Sequence, residues 1–230
     1  MKRIHELQLV AFIDDISIEY HQYYAEMLKI YGINPEKNYF SPVFSIGGVI
    51  GNVEKNNPTG GRIVYQLLSN RFICYFYGSS QIGLLTDDEI ANSVTHFAEV
   101  FTKIFSNKTA TRVGVVGRSL LEKMYDTENE VVARLVNKTL VPAIATDAIA
   151  AELLIVIPIE PIQNNVTYVR LVFKPWTVSE GRFTLWIEKD IHTPHDQELQ
   201  LSISDQILFF KDAIKSRLPD WVVRLESDTI

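Results

Sequence analysis

The chain has 230 residues, 47% of them hydrophobic and 22% charged, with a formal net charge of -6. That is enough apolar material for one large core or two modest ones, and it excludes a disordered or fibrous chain. The negative balance opposes attraction to phosphate backbones, so nucleic acid is not an expected partner unless a local basic patch overcomes it.

Met1 to Phe12 opens with Lys2 and Arg3, but Glu6 and Gln8 break its apolar stretch and no small-residue cleavage site follows, so it is read as part of the fold. Leu7, Leu9, Ala11 and Ile13 alternate, which predicts a short strand. From Asp14 onward Ile16, Tyr20, Tyr23, Tyr24, Met27 and Tyr31 recur at steps of three and four, the period of one helical face, with Asp14 or Asp15 as cap and Gly32 as stop. A strand is predicted from Tyr39 to about Ile46, followed by a glycine- and asparagine-rich loop from Gly47 to Gly61.

Arg62 to Leu68 and Arg71 to Tyr77 are β-branched and aromatic runs separated by Ser69 and Asn70, a hairpin pattern. Cys74 within it is the chain's one cysteine; an apolar strand position predicts a buried thiol and a reducing, cytoplasmic setting. Thr86 and Glu89 form a capping box that opens a helix with an apolar stripe of Ile90, Val94, Phe97, Phe101 and Ile104, ending near Asn107. Thr109 to Val116 reads as a strand, and two further boxes, Ser119 with Glu122 and Thr127 with Glu130, predict short helices.

Leu153 to Ile159 is continuously apolar, which predicts a strand covered on both faces; at seven residues and interrupted by Pro158 it is far short of the ~20 residues that cross a bilayer. Val166 to Phe173 and Arg182 to Glu188 follow as strands, the second alternating an apolar face of Phe183, Leu185 and Ile187 with a wet face of Arg182, Thr184, Trp186 and Glu188. A last helix starts at Ser202 or Ser204, carries Ile207, Phe210, Ile214 and Leu218 on one face, and stops at Pro219.

Tyr39 to Phe105 and Glu152 to Leu218 share one order: strand, strand pair, amphipathic helix. The expected fold is therefore α+β, two tandem βββα units forming antiparallel sheets covered by amphipathic helices, joined either edge to edge or through a pseudo-twofold axis. The corresponding division is 1–38 as N-terminal strand and helix, 39–118 as first unit with its following strand, 119–150 as helical connector and 151–230 as second unit.

The segments GRIVYQLLSNRFICYF, ANSVTHFAEVFTKIF, TRVGVVGRSLL and GRFTLWIEKD, in this order over Gly61 to Glu226, resemble a sporadically distributed family of uncharacterised bacterial proteins. Arg112 and Gly114 match that family's Arg-x-Gly motif, whereas Gly117 and Ser119 stand where its tyrosine and asparagine are expected, so no role carries over to them. Asp190 resembles an acidic position closing the family's late strand and is read as structural. No activity comes with the resemblance; its patchy distribution implies mobile genes such as phage-defence or toxin systems.

Two constellations bear on chemistry. His192, His195 and Asp196 have metal-ligand residue types, but Pro194 breaks the helical spacing that would make them a chelate, so a solvated turn is the reading taken. Glu188, Lys189 and Asp190 evoke a magnesium-dependent nuclease, yet adjacent residues of a strand point to opposite faces. No Gly-x-Ser-x-Gly elbow, phosphate loop or dinucleotide fingerprint occurs. No catalytic, metal or cofactor residue is therefore nominated. The interaction candidates are Tyr20, Tyr23, Tyr24, Tyr31, Trp176 and Trp186, large apolar groups with polar tips that suit protein interfaces. These point to a non-enzymatic interaction or assembly component that binds a protein partner or itself, with a metal-dependent hydrolase and a peptide-binding holder as alternatives.

Overall fold

The structure is a computed structural model and describes residues 4–16, 20–30, 49–56, 61–78, 83–121, 124–139, 152–194 and 199–216. It is mixed α+β. In chain order the elements are β1 (Glu6–Phe12), α1 (Tyr20–Ile30), β2 (Val49–Asn56), β3 (Arg62–Leu68), β4 (Arg71–Tyr77), α2 (Asp87–Ile104), β5 (Arg112–Leu120), α3 (Glu128–Thr139), β6 (Leu153–Ile162), β7 (Asn165–Ser179), β8 (Arg182–His192) and α4 (Ile203–Lys215).

All eight strands join one antiparallel sheet in the order β2-β3-β4-β1-β5-β8-β7-β6. Two meanders, β2-β3-β4 and β6-β7-β8, thus flank a central β1–β5 pair. Alternation decides which face each side chain takes. Leu7, Leu9 and Ala11 of β1, Cys74 of β4, Val113 and Val115 of β5 and Leu171 of β7 enter a single large core. All four helices contribute to that core, with Tyr23 and Met27 from α1, Phe97 from α2, Val131 from α3 and Phe210 from α4. The helices therefore cover one face of the sheet, and the even-numbered positions of β1, β5 and β8 lie on the other.

Aromatic packing ties the helical layer to the sheet. Phe72 of β4 lies 5.7, 6.2 and 5.6 Å, centroid to centroid, from Phe97, Phe101 and Phe105, and Phe97 meets Phe210 edge-on at 4.9 Å across the α2–α4 contact. Each such side chain contributes about 1.5–3 kcal/mol through its burial. Both capping boxes are formed: Glu89 N donates to Thr86 Oγ1 at 3.2 Å in α2, and Asp205 N donates to Ser202 Oγ at 3.3 Å in α4.

Several elements depart from the sequence expectations. β2 lies inside the segment read as a loop from Gly47 to Gly61, because pairing with β3 supplies the strand that its glycine and asparagine residues disfavour. The strand expected over Tyr39 to Ile46 lies outside the described residues, as do Tyr31, Gly32, Glu122, Leu218 and Pro219. Ser119 opens no helix: it belongs to β5 and pairs with Ile187. Glu130 N does donate to Thr127 Oγ1, at 3.3 Å, at the start of α3.

β6 is not covered on both faces. It is an edge strand whose residues alternate between half-buried and exposed, with Leu153, Ile155, Ile157 and Ile159 packed on the core. Thr184, assigned to the wet face of β8, is buried with its hydroxyl donating to Leu121 O at 2.8 Å. In α4 the expected face packs on the core where it is described, with Phe210 buried and Ile207 and Ile214 half-buried against the cluster, and Gln206, Phe209 and Ala213 widen the buried stripe. No helix of the described residues is long and apolar enough to cross a membrane.

Candidate functional site

The sheet face opposite the helices carries an ordered set of charges and aromatic rings. Register brings Glu6 of β1, Arg118 of β5 and Glu188 of β8 into one row on three adjacent strands. Arg118 Nη1 donates to Glu6 Oε1 at 2.5 Å and its Nε donates to Glu188 Oε2 at 2.8 Å. The other oxygen of Glu188 accepts from Arg170 Nη1 of β7 at 2.9 Å. Burial by itself would lower the guanidinium pKa of Arg118, but Glu6 and Glu188 outweigh it and hold the group above its ordinary value.

Aromatic residues separate the cations. The guanidinium carbon of Arg62 lies 4.1 Å from the ring centroid of Tyr77, and that of Arg112 3.6 Å from Phe12. Trp186 stands 5.6 Å from Arg118 and 5.8 Å from the Lys174 ammonium, and its centroid is 4.6 Å from that of Trp176. Tyr75 and Tyr77 on β4 are half-buried, and burial raises both phenol pKa values from their usual 10.0. Beside this row Asp190 Oδ1 lies 3.3 Å from His192 Nδ1. Gly114 on the neighbouring strand gives the pair room, since a Cβ there would stand 3.3 Å from His192 Cβ and 3.8 Å from Asp190 Oδ1.

Toward the β6 edge the face becomes apolar. Leu154 and Val156 of β6 are 50% and 52% exposed, and Val166 and Trp176 of β7 are each 41% exposed. Val178 is exposed farther along β7. Edge strands often carry a residue that blocks further pairing, and Pro158 does so on β6: it sits opposite Tyr168, and its nitrogen has no hydrogen to offer an added strand.

The interaction residues nominated from sequence separate into two groups. Tyr23 and Tyr24 are buried in the core, Tyr23 with its centroid 5.0 Å from Phe105, and Tyr20 is half-buried against the same cluster, so this tyrosine face joins helix to sheet. Trp176 and Trp186 come together on the face away from the helices. Of the nuclease-like set, Glu188 and Asp190 share that face while Lys189 is buried on the other side, and both oxygens of Glu188 are engaged by arginines. His192 ends β8 rather than lying in a loop; His195 and Asp196 lie outside the described residues. Among the described residues no group of three His, Cys, Asp or Glu side chains is placed to hold a metal ion.

Sequence inspection did not single out Glu6, Arg118 and Arg170. Alternation could have placed each on a wet face, but no local signal pairs residues 112 and 70 positions apart. Comparison with family models, curated proteins and solved structures gives no match.

Proposed function

We propose that the chain is a non-enzymatic interaction or assembly component, and that its contact surface is the β6–β7 end of the sheet face opposite the helices. One observation carries this reading. Of the large apolar side chains exposed among the described residues, Leu154, Val156, Val166, Trp176 and Val178 lie on these two strands, against only Met124 and Leu208 elsewhere. Exposed apolar residues gathered on adjacent strands mark association surfaces, and Trp and Arg are enriched there.

The favoured occupant is a second copy of the chain. Glu160 lies four residues from Val156 along β6, and Lys174 lies four residues from its partner Arg170 along β7, in the opposite direction along the sheet. A twofold axis through the Val156–Arg170 pair would set Glu160 of one copy near Lys174 of the other, a self-complementary arrangement. The order strand-strand-strand-helix, repeated as β2-β3-β4-α2 and β6-β7-β8-α4, supports two βββα units within each copy. Membership of the sporadic bacterial family, a cytoplasmic setting and a role in a phage-defence or toxin-type system are part of the same proposal.

Sedimentation across a concentration series tests it. The expected result is a reversible dimer that Val156→Glu converts to a folded monomer. A wild-type chain that stays monomeric at its highest soluble concentration would overturn the self-association reading.

A further inference from the structure

The sheet repeats about its centre. Read outward from the β1–β5 pair, β4, β3 and β2 lie on one side and β8, β7 and β6 on the other. A single row shows the correspondence: Leu9 faces Val115 at the centre, Cys74, Tyr65 and Val53 continue on one side, and Ile191, Val169 and Ile157 continue on the other. The Val156–Arg170 pair of β6 and β7 therefore occupies the place that Asn52 and Gln66 hold in β2 and β3. Four residues farther along each strand, Glu160 and Lys174 stand where the other half of the chain has Asn56 and Asn70.

The same positions of the same sheet thus carry neutral amides in one half, and an acid, a valine and two bases in the other. The architecture tolerates either set, so Glu160 and Lys174 are not required to hold it. Among the described residues neither makes an ion pair: Glu160 is exposed, and the half-buried Lys174 ammonium lies 5.8 Å from the Trp186 centroid. The other charges of this end are Arg170, held by Glu188, Arg182, 3.5 Å from Asp126, and the exposed Glu152 and Glu180. Glu152 precedes β6 on the side of Lys174, yet no ion pair joins the two.

Given self-association through the β6–β7 face, the reading on which this rests, we propose that Glu160 and Lys174 select the partner. Glu160 of each copy meets Lys174 of the other, so an isologous contact forms the pair twice. One exposed ion pair adds little affinity. Reversing either charge, however, turns both contacts into like-charge contacts at once, which is how charge placement excludes a wrong partner.

Sedimentation equilibrium of charge-reversed full chains tests the selection. Glu160→Lys alone sets lysine against lysine twice, and Lys174→Glu alone sets glutamate against glutamate twice; each should dimerise at least about tenfold more weakly than wild type. An equimolar mixture of the two variants restores both attractions and should form a heterodimer at near wild-type strength, as should the double variant with itself. The single-variant defect should shrink at ~0.5 M salt. Thermal midpoints at a concentration where every chain is monomeric check folding. If either reversal does not fold, Glu160→Gln, Lys174→Gln and their double variant replace the set, and the second substitution should weaken the dimer no further than the first. A wild-type dimer that Val156→Glu dissociates, but that neither reversal weakens or whose loss the mixture fails to restore, overturns selection by Glu160 and Lys174 alone. A wild-type chain that stays monomeric overturns association through this face and this proposal with it.

Discussion

Arg118→Met is the most informative single substitution in this protein, because it removes one charge from the centre of the sheet while keeping an unbranched apolar stem beside Trp186. Arg118 makes two charge-assisted hydrogen bonds, to Glu6 and Glu188, and the three side chains are 27%, 13% and 16% exposed. Such bonds are worth about 1.5–3 kcal/mol each. The loss is smaller than their sum, since Glu6 still accepts from Gln8 Nε2 at 2.6 Å and Glu188 from Arg170 at 2.9 Å. We expect a destabilisation of about 2–3 kcal/mol, below the ~3–5 kcal/mol for breaking a fully buried pair, because each carboxylate keeps another donor. For a chain of this length that lowers the thermal midpoint by about 5–10 °C.

Urea denaturation of the parent chain, Arg118→Met, Glu188→Gln and the double variant completes a cycle whose coupling should be about 1 kcal/mol. Most of the effect should persist at ~0.5 M salt, because the groups are shielded from bulk ions. A variant within about 0.5 kcal/mol of the parent, or an effect that disappears in salt, would show that the row behaves as ordinary surface pairs and would refute its structural weight.

Buried phenols, the buried thiol and the tight glycine contact each have a measurable consequence. Burial raises the phenol pKa values of Tyr24, Tyr75 and Tyr77, so their contribution to stability is fully present below about pH 10, the unfolded value, and is lost as pH rises through the folded values. Denaturation midpoints should therefore fall above that pH, and replacing Tyr75 and Tyr77 by Phe should flatten the fall; an unchanged alkaline profile would contradict it. Cys74 is fully buried and its thiol pKa is pushed well above the ordinary range, so labelling by a thiol reagent should track denaturant-induced unfolding, and rapid labelling of the native chain would count against its placement. Gly114→Val should cost about 1–3 kcal/mol through pressure on His192 and Asp190, measured by chemical denaturation, and a neutral result would mean that β5 and β8 are looser than the contacts imply.

Local chemistry alone marked much of the framework. Thr86 with Glu89 and the stripe from Ile90 to Ile104 specify α2, because a cap and a 3.6-residue period depend only on neighbours within the helix. The β3–β4 hairpin and the alternation in β8 are legible for the same reason, and Trp186 could be assigned to the face away from the core. Alternation states which face a residue takes but not which strand lies beside it, so the row Glu6–Arg118–Glu188 exists only once register is set. The continuous apolarity of Leu153 to Ile159 fits a covered strand and an edge strand equally well, and tertiary placement at the end of the sheet selects the edge. Likewise β2, poor in strand-forming residues, becomes a strand because β3 offers it a hydrogen-bonding partner. Periodicity and caps are thus readable along the chain, whereas the partners across the sheet, and with them the surface available for binding, come from long-range pairing that no local pattern encodes.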